Sequence, residues 1–227
     1  MRRLLPVTLG CLLPLLLARP AQAQTIPSPY DYIDLTQSVE IFAGYVHAQT
    51  GDFGVGPEPA AYFGATYAGR LTGPLAGTVT LGYIPTHRTI FSRAAGDSVL
   101  TARVPNHPAQ LLLAEAGVRF QITGPRTWNG LAPYVGIGGG VVTDLSASDS
   151  LEATLEQNDQ LVELGPSFAV SLSAGTDWFL TERLSLRAEA QDHLWRLNTP
   201  GGLTGNAATN TEWTNNLGVT LGVALHF

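Results

Sequence analysis

The chain has 227 residues, of which 44% are hydrophobic and only 13% charged, and it contains 25 glycines. This composition excludes both a disordered chain and an ordinary charged cytosolic domain. The 12 basic residues, all arginine, are outnumbered by 18 acidic ones, and the formal net charge of −6 at pH 7 excludes nucleic acid as a partner because it repels phosphate backbones.

The chain opens with a segment typical of a secretory signal peptide. Arg2 and Arg3 form a positive start, residues 4–17 are apolar, and residues 21–23 (AQA) fit a cleavage site. A transmembrane anchor is the alternative, but the apolar run has about 14 residues where a helical span needs about 20. The single cysteine, Cys11, lies in this segment, so we expect an exported mature chain without thiols or disulfides.

Eight later segments alternate apolar and polar residues with a period of two, which is typical of β-strands with two different faces. None of them has helical spacing. In chain order they are residues 39–47, 61–71, 75–84, 110–122, 131–142, 168–180, 184–195 and 213–227.

The connections between these segments alternate in length. Short turns are expected at 72–74, 123–130 and 181–183, and long loops at 48–60, 85–109, 143–167 and 196–212. Short turns at one end and long loops at the other indicate an all-β fold, an eight-stranded antiparallel up-and-down transmembrane β-barrel. Closure leaves no unpaired sheet edge in the lipid. We therefore predict a signal peptide (1–23), a periplasmic N-terminal segment (24–37) and an outer-membrane barrel (38–227).

A soluble barrel of the lipocalin or streptavidin kind and a two-sheet sandwich are the competing folds. A soluble barrel would turn its charged face outward, whereas here the unbroken face is apolar and carries aromatic residues at both strand ends. Toward the loops lie Tyr45, Phe63, Tyr83 and Trp213, and toward the turns lie Tyr67, Phe120, Trp178 and Phe227. Two such aromatic girdles favour the membrane barrel.

Three motifs resemble the small OmpA/OmpX-type outer-membrane barrels. Residues 132–140 (APYVGIGGG) are similar to the Pro-Tyr-x-Gly-x-Gly strands of that superfamily, and residues 178–189 (WFLTERLSLRAE) to its penultimate hairpin. Residues 221–227 (LGVALHF) resemble its C-terminal assembly signal, with Phe227 last. The resemblance implies the bacterial outer membrane as the location. The partners it implies are outer-membrane lipid, lipopolysaccharide and the barrel assembly machinery, and it says little about function.

The polar face of the strands points into a narrow lumen. Its charged residues include Asp177 and a predicted ionic cluster of Glu40, Arg70, Glu115, Arg119, Arg187 and Glu189. Side chains just fill an eight-stranded barrel, so we expect a closed plug in which Glu40 pairs with Arg70 and Arg119, and Glu189 pairs with Arg187. Inward glycines should leave room for the arginines: Gly136, Gly138, Gly140, Gly218 and Gly222. A proton or solute path through the lumen is the alternative.

The third long loop is acidic and has no basic residue between positions 143 and 165. Asp149 and Glu152 fit a capping box that would open a short helix. The loop is either solvated or binds divalent cations that bridge to lipopolysaccharide phosphates. We expect it to face the arginines of the second long loop, Arg88, Arg93 and Arg103.

The function predicted from these features is a monomeric, non-enzymatic membrane scaffold whose extracellular loops serve surface interaction or envelope integrity. We expect no cofactor, metal or catalytic residue. A narrow OmpW-like channel for small or hydrophobic solutes and a lipid A-modifying enzyme are the alternatives. The enzyme needs a nucleophile, a base and a carboxylate near the outer leaflet. His47 and His193 lie toward that end, but the residue two positions after His193 is Trp195 rather than serine.

Overall fold

The computed structural model describes residues 28–33, 36–92, 101–146, 150–157, 161–162, 164–204 and 210–227. The predicted signal peptide, Arg93, Asp149 and the side chain of Arg103 lie outside the described part. In chain order its elements are β1 Tyr30–Tyr32, β2 Gln37–His47, β3 Ala60–Thr72, β4 Leu75–Ser92, β5 Thr101–Gln121, β6 Arg126–Trp128, β7 Leu131–Asp144, α1 Ser150–Gln157, β8 Ser167–Phe179, β9 Leu184–Thr199, α2 Gly201–Thr204 and β10 Asn210–His226.

Eight of these strands close into a barrel. Each pairs antiparallel with both neighbours in the order β2-β3-β4-β5-β7-β8-β9-β10, and β10 pairs back with β2, where Val219 lies opposite Tyr45. Closure pairs the backbone groups around the whole wall, as a lipid environment requires. The predicted eight-stranded up-and-down barrel is confirmed.

Alternation along each strand decides which side chains face the lumen. In β2, Glu40 and Phe42 are buried, whereas Ile41 between them is 68% exposed. Large apolar side chains cover the outer face of the other strands in the same way. A broad exposed apolar surface is unfavourable in water and favourable in hydrocarbon, so the outer face suits a bilayer. Within the described residues, no helix has the length and apolar character to cross a membrane.

The second long loop is largely strand, contrary to the prediction for residues 85–109. β4 and β5 continue past the barrel as a two-stranded ribbon that reaches Ser92 and resumes at Thr101. The inward positions Thr86, Arg88 and Ile90 are buried in turn, so the period of two persists. Because two of these buried residues, Thr86 and Arg88, are polar, the hydropathy pattern does not indicate a strand here.

The lumen has two halves that differ in chemistry. At the turn end, where the short connections lie, inward side chains are polar or charged. At the loop end they form an apolar core, which the sequence pattern did not indicate. The strand residues of this core include Phe42, Val46, Tyr62, Ile84, Leu111, Leu113, Val142, Trp195 and Leu197.

Candidate functional site: the barrel interior and its loop cover

Arg187 on β9 is the centre of the turn-end half. Its Nε and Nη2 donate to Oδ1 and Oδ2 of Asp177 at 2.6 and 3.1 Å. Its Nη1 donates to Oε2 of Glu40 at 2.5 Å. All three side chains are buried, and a guanidinium that binds one carboxylate with two bonds and a second with one is held in a single orientation. These residues tie β8, β9 and β2 together inside the lumen.

Arg119 on β5 is the second buried guanidinium. Its Nη2 donates to Oε2 of Glu189 at 3.4 Å, and its Cζ lies 4.0 Å from the ring centroid of Tyr134. The Tyr134 hydroxyl and the Gln191 amide also donate to the carboxylate of Glu189. The charge of Glu189 is therefore compensated by one cation and two neutral donors.

His193 and Glu115 lie where the two halves meet. Nδ1 of His193 is 3.3 Å from Oε1 of Glu115, and its Nε2 is 2.9 Å from Oε1 of Gln191. The imidazole packs edge-on against the ring of Tyr62, with the centroids 5.8 Å apart. His193 is only 1% exposed, so its ring is enclosed in the lumen and has no access to the lipid around the barrel.

The predicted pairings within the ionic cluster are wrong. Glu40 binds Arg187 rather than Arg70 or Arg119, and Glu189 binds Arg119 rather than Arg187. Arg70 lies half-buried at the turn-end mouth, where its Nη2 donates to the carbonyl of Ile33 at 2.9 Å. Glu40 and Glu189 thus each bind an arginine that is far away in the sequence.

Glycines make room in the lumen, although mostly not for the arginines. A Cβ at Gly222 would lie 2.3 Å from Oε1 of Glu40, so this glycine accommodates the carboxylate. Gly82 and Gly175 have the same role for rings, since a Cβ would lie 2.5 Å from Tyr62 and 2.6 Å from the hydroxyl of Tyr134. A Cβ at Gly136 or Gly138 would first meet the hydroxyl of Ser173 or Ser171, and one at Gly140 or Gly218 would first meet backbone carbonyls. The expectation that the predicted glycines make room for arginines is therefore wrong for all five.

A further buried ion pair, outside the ionic cluster of the lumen, joins the β4–β5 ribbon to the acidic loop. Nη2 of Arg88 donates to Oε1 of Glu152 at 2.5 Å, and Nη1 donates to the carbonyl of Val162 at 2.6 Å. Nδ1 of His107 is 3.7 Å from the same Glu152 oxygen. The predicted helix after Asp149 is confirmed as α1, and so is the contact with Arg88. Glu152 is only 3% exposed, so the expectation of a solvated loop is wrong at this residue.

Residues from three loops cover the loop-end mouth of the barrel. Val55, Val162, Leu164 and Leu203 are buried in the same apolar core as the inward strand residues. Hydrophobic packing therefore holds these loop residues against the mouth of the barrel, above the ionic cluster. In the described part of the chain, no three His, Cys, Asp or Glu side chains are grouped to bind a metal.

This architecture is shared with solved outer-membrane barrels, two of which align as follows. Neisserial surface protein A aligns with a TM-score of 0.53 and 13% identity over 84% of this chain and 97% of its own. OprG from Pseudomonas aeruginosa aligns with a TM-score of 0.51 and 13% identity over 88% of this chain and 99% of its own. The chain has the fold of a small outer-membrane β-barrel. The resemblance to OmpA/OmpX-type barrels is thereby confirmed for the fold. No family model matches the sequence, and the comparison with curated proteins found no match.

The barrel carries its predicted girdle residues on the outer surface. Each of the eight is exposed, namely Tyr45, Phe63, Tyr83, Trp213, Tyr67, Phe120, Trp178 and Phe227. The hydroxyl of Tyr67 donates to Oε1 of Gln37 at 3.0 Å, and that of Tyr83 to Oε1 of Gln110 at 3.2 Å. An apolar ring with a polar tip at a strand end suits a membrane interface. The sequence pattern missed Phe168, which is exposed near the loop end of β8.

Phe227 lies at the seam between the first and last strands of the barrel. Its carbonyl accepts hydrogen bonds from the amides of Thr36 and Gln37 at 3.3 and 3.0 Å, and its amide donates to the carbonyl of Gln37 at 2.9 Å. Its ring points outward. The backbone of Phe227 thus helps to close the barrel, while its side chain is accessible from outside.

Proposed function

We propose that this chain is a non-conducting outer-membrane barrel, a non-enzymatic scaffold for extracellular loops that serve surface interaction or envelope integrity. The observation that carries the proposal is that side chains obstruct the lumen in both halves. The bonds of Arg187 to Glu40 and Asp177 cross the turn-end half, and apolar side chains occupy the loop-end half. The polar cavity that remains beside Arg119 and Glu189 has a volume of only about 40 Å³, so we expect no continuous water path.

The loop cover supports a display role. The buried pair of Arg88 and Glu152 fixes α1 against the β4–β5 ribbon, and Val55 and Leu203 anchor two further loops in the apolar core. Loops held in one arrangement present a constant surface to a partner, which lowers the entropic cost of binding.

The proposal includes a cellular location and partners. The bacterial outer membrane is the location, and a cleaved signal peptide provides export. The protein is a monomer, and lipid and lipopolysaccharide surround its apolar band. The C-terminal strand with Phe227 is the contact for the barrel assembly machinery. The burial of His193 argues against this residue as the base of a lipid-modifying enzyme, because a catalytic base must reach its substrate.

A narrow OmpW-like channel is the second candidate. The apolar loop-end half of the lumen favours it, since rings and aliphatic side chains there would suit a hydrophobic solute. For a solute to pass, Val162, Leu164 and Leu203 would have to leave the core. The bond between Arg88 and Glu152 would also have to break.

Cysteine labelling on intact cells tests which loops are displayed. The only cysteine of the sequence, Cys11, lies in the predicted signal peptide, so an introduced cysteine is the only thiol of the mature chain. Glu156→Cys on α1 should react with a membrane-impermeant maleimide. Glu182→Cys in the β8–β9 turn is the matched control, and it should react only after permeabilisation. Labelling of Glu182→Cys on intact cells would contradict the topology.

Mass spectrometry of lipid A tests the non-enzymatic role. The lipid A masses of a deletion strain and of the same strain with the gene restored should be identical. A mass difference that disappears in His47→Ala or His193→Gln would establish an enzyme instead.

A further inference from the structure

A small sheet outside the barrel presents an aromatic face at the turn end. β1 and β6 pair with Tyr30 opposite Trp128 and Tyr32 opposite Arg126. All four side chains are exposed, Tyr32 by 64%. Three large aromatic rings grouped on so short a sheet have an unfavourable free energy in water, so we expect this face to bind a partner.

The strand register shows which way the face points. Trp128 lies opposite Leu131, Leu131 opposite Trp178, and Trp178 opposite Leu186. Residues directly opposite in an antiparallel sheet share a face. Trp178 is on the outer face of the wall, because its neighbour Asp177 is buried in the lumen. Trp128, and beyond it Tyr30, therefore continue an outward row of the barrel wall.

The charges of the sheet are sorted between its two faces. Arg126 shares the face of Trp128 and Tyr32, whereas Asp31 and its partner Thr127 lie on the opposite face. Tyrosine and tryptophan prefer the level of lipid head groups, and a guanidinium binds phosphate with paired hydrogen bonds. The outer face therefore carries aromatic rings and a cation without a carboxylate.

We propose that the β1–β6 sheet lies in the head-group layer of the turn-end leaflet, with Arg126 on a phospholipid phosphate. Continuity with the lipid-facing row of the barrel wall and the sorting of charge favour this partner. The sheet would hold the segment that precedes the barrel flat against the membrane. This proposal rests on the membrane placement of the proposed function.

Three single-tryptophan proteins test this placement in phosphatidylcholine vesicles that contain brominated lipids. Each keeps Trp128, Trp178 or Trp195 and replaces the other tryptophans by phenylalanine, and heat-modifiable migration on gels verifies folding. Trp178 should be quenched, and Trp195, enclosed in the lumen, should not. Trp128 should be quenched to nearly the same extent as Trp178, most strongly when the bromine lies near the head group.

The outcomes separate the two proposals. Quenching of Trp178 together with a Trp128 that responds to aqueous iodide and not to bromolipid would overturn the inference alone. An unquenched Trp178 would overturn the membrane placement and the inference with it. Arg126→Gln should shift the Trp128 emission to the red and reduce its head-group quenching. Arg183→Gln, a change in another exposed turn, should leave both unchanged, and an equal effect of the two variants would overturn the role of Arg126.

Discussion

Arg187 donates to Glu40 across strand β10, which separates their own strands in the barrel wall. Gly222 on β10 lies opposite Arg187 and carries no side chain, and a Cβ there would lie 2.3 Å from Oε1 of Glu40. The buried pair thus depends on a gap in the intervening strand, and the same guanidinium holds Asp177 on its other side.

Replacing Arg187 by leucine should destabilise the barrel by about 3–5 kcal/mol, because Glu40 and Asp177 lose their cation while they remain buried. The measurement is the free energy of unfolding by urea in lipid vesicles. Arg183→Leu, in the exposed β8–β9 turn, is the control and should have little effect. Equal losses in the two variants would mean that the ionic cluster does not stabilise the fold.

Glu152→Gln should loosen α1 without unfolding the barrel. The glutamine amide keeps an acceptor oxygen for Arg88 but removes the counter-ion of this buried guanidinium. We expect the closed loop to weaken by about 1.5–3 kcal/mol, which raises its opening roughly tenfold or more. Limited proteolysis should therefore cut near α1 faster, while heat-modifiable migration is unchanged. Glu156→Gln, exposed on the same helix, serves as the control. Cleavage at the wild-type rate in Glu152→Gln would show that the bond to Arg88 does not hold the loop.

Leu221→Arg should destabilise the barrel by about 2–4 kcal/mol in vesicles, because this outward residue lies near the middle of β10, where the bilayer is most apolar. Leu225→Arg, close to the girdle residue Phe227, should lose only about 0–1 kcal/mol. Unfolding free energies measured in vesicles give the comparison. Equal and small losses at both positions would indicate that the outer face does not lie in lipid.

The strands could be predicted because successive side chains of a strand point alternately into the polar lumen and onto the apolar outer face, which gives the sequence a period of two. The ion pairs in the lumen could not be predicted, because they depend on how the strands are staggered and on positions such as Gly222 that lack a side chain. The β4–β5 ribbon escaped prediction because its buried residues include Thr86 and Arg88, which contact groups far away in sequence. The contact between Arg88 and the acidic loop was predictable from charge alone.

Phe227→Ser should lower the amount of assembled barrel in cells and leave refolding in vitro nearly unchanged. The substitution removes the outward ring but keeps the backbone bonds to Gln37 that close the seam. Heat-modifiable protein in outer-membrane fractions measures assembly, and the same assay after refolding into detergent is the control. A parallel loss in both assays would assign Phe227 to barrel stability rather than to recognition by the assembly machinery.

Single-channel recording of the refolded wild-type protein in planar bilayers tests most directly whether side chains block the lumen. The structure predicts no steady conductance, because the bonds of Arg187 and Arg119 close the turn-end half and the loop residues close the other. Stable conductance whose ion selectivity shifts in Arg119→Leu, without loss of stability in that variant, would contradict the plug and establish a pore.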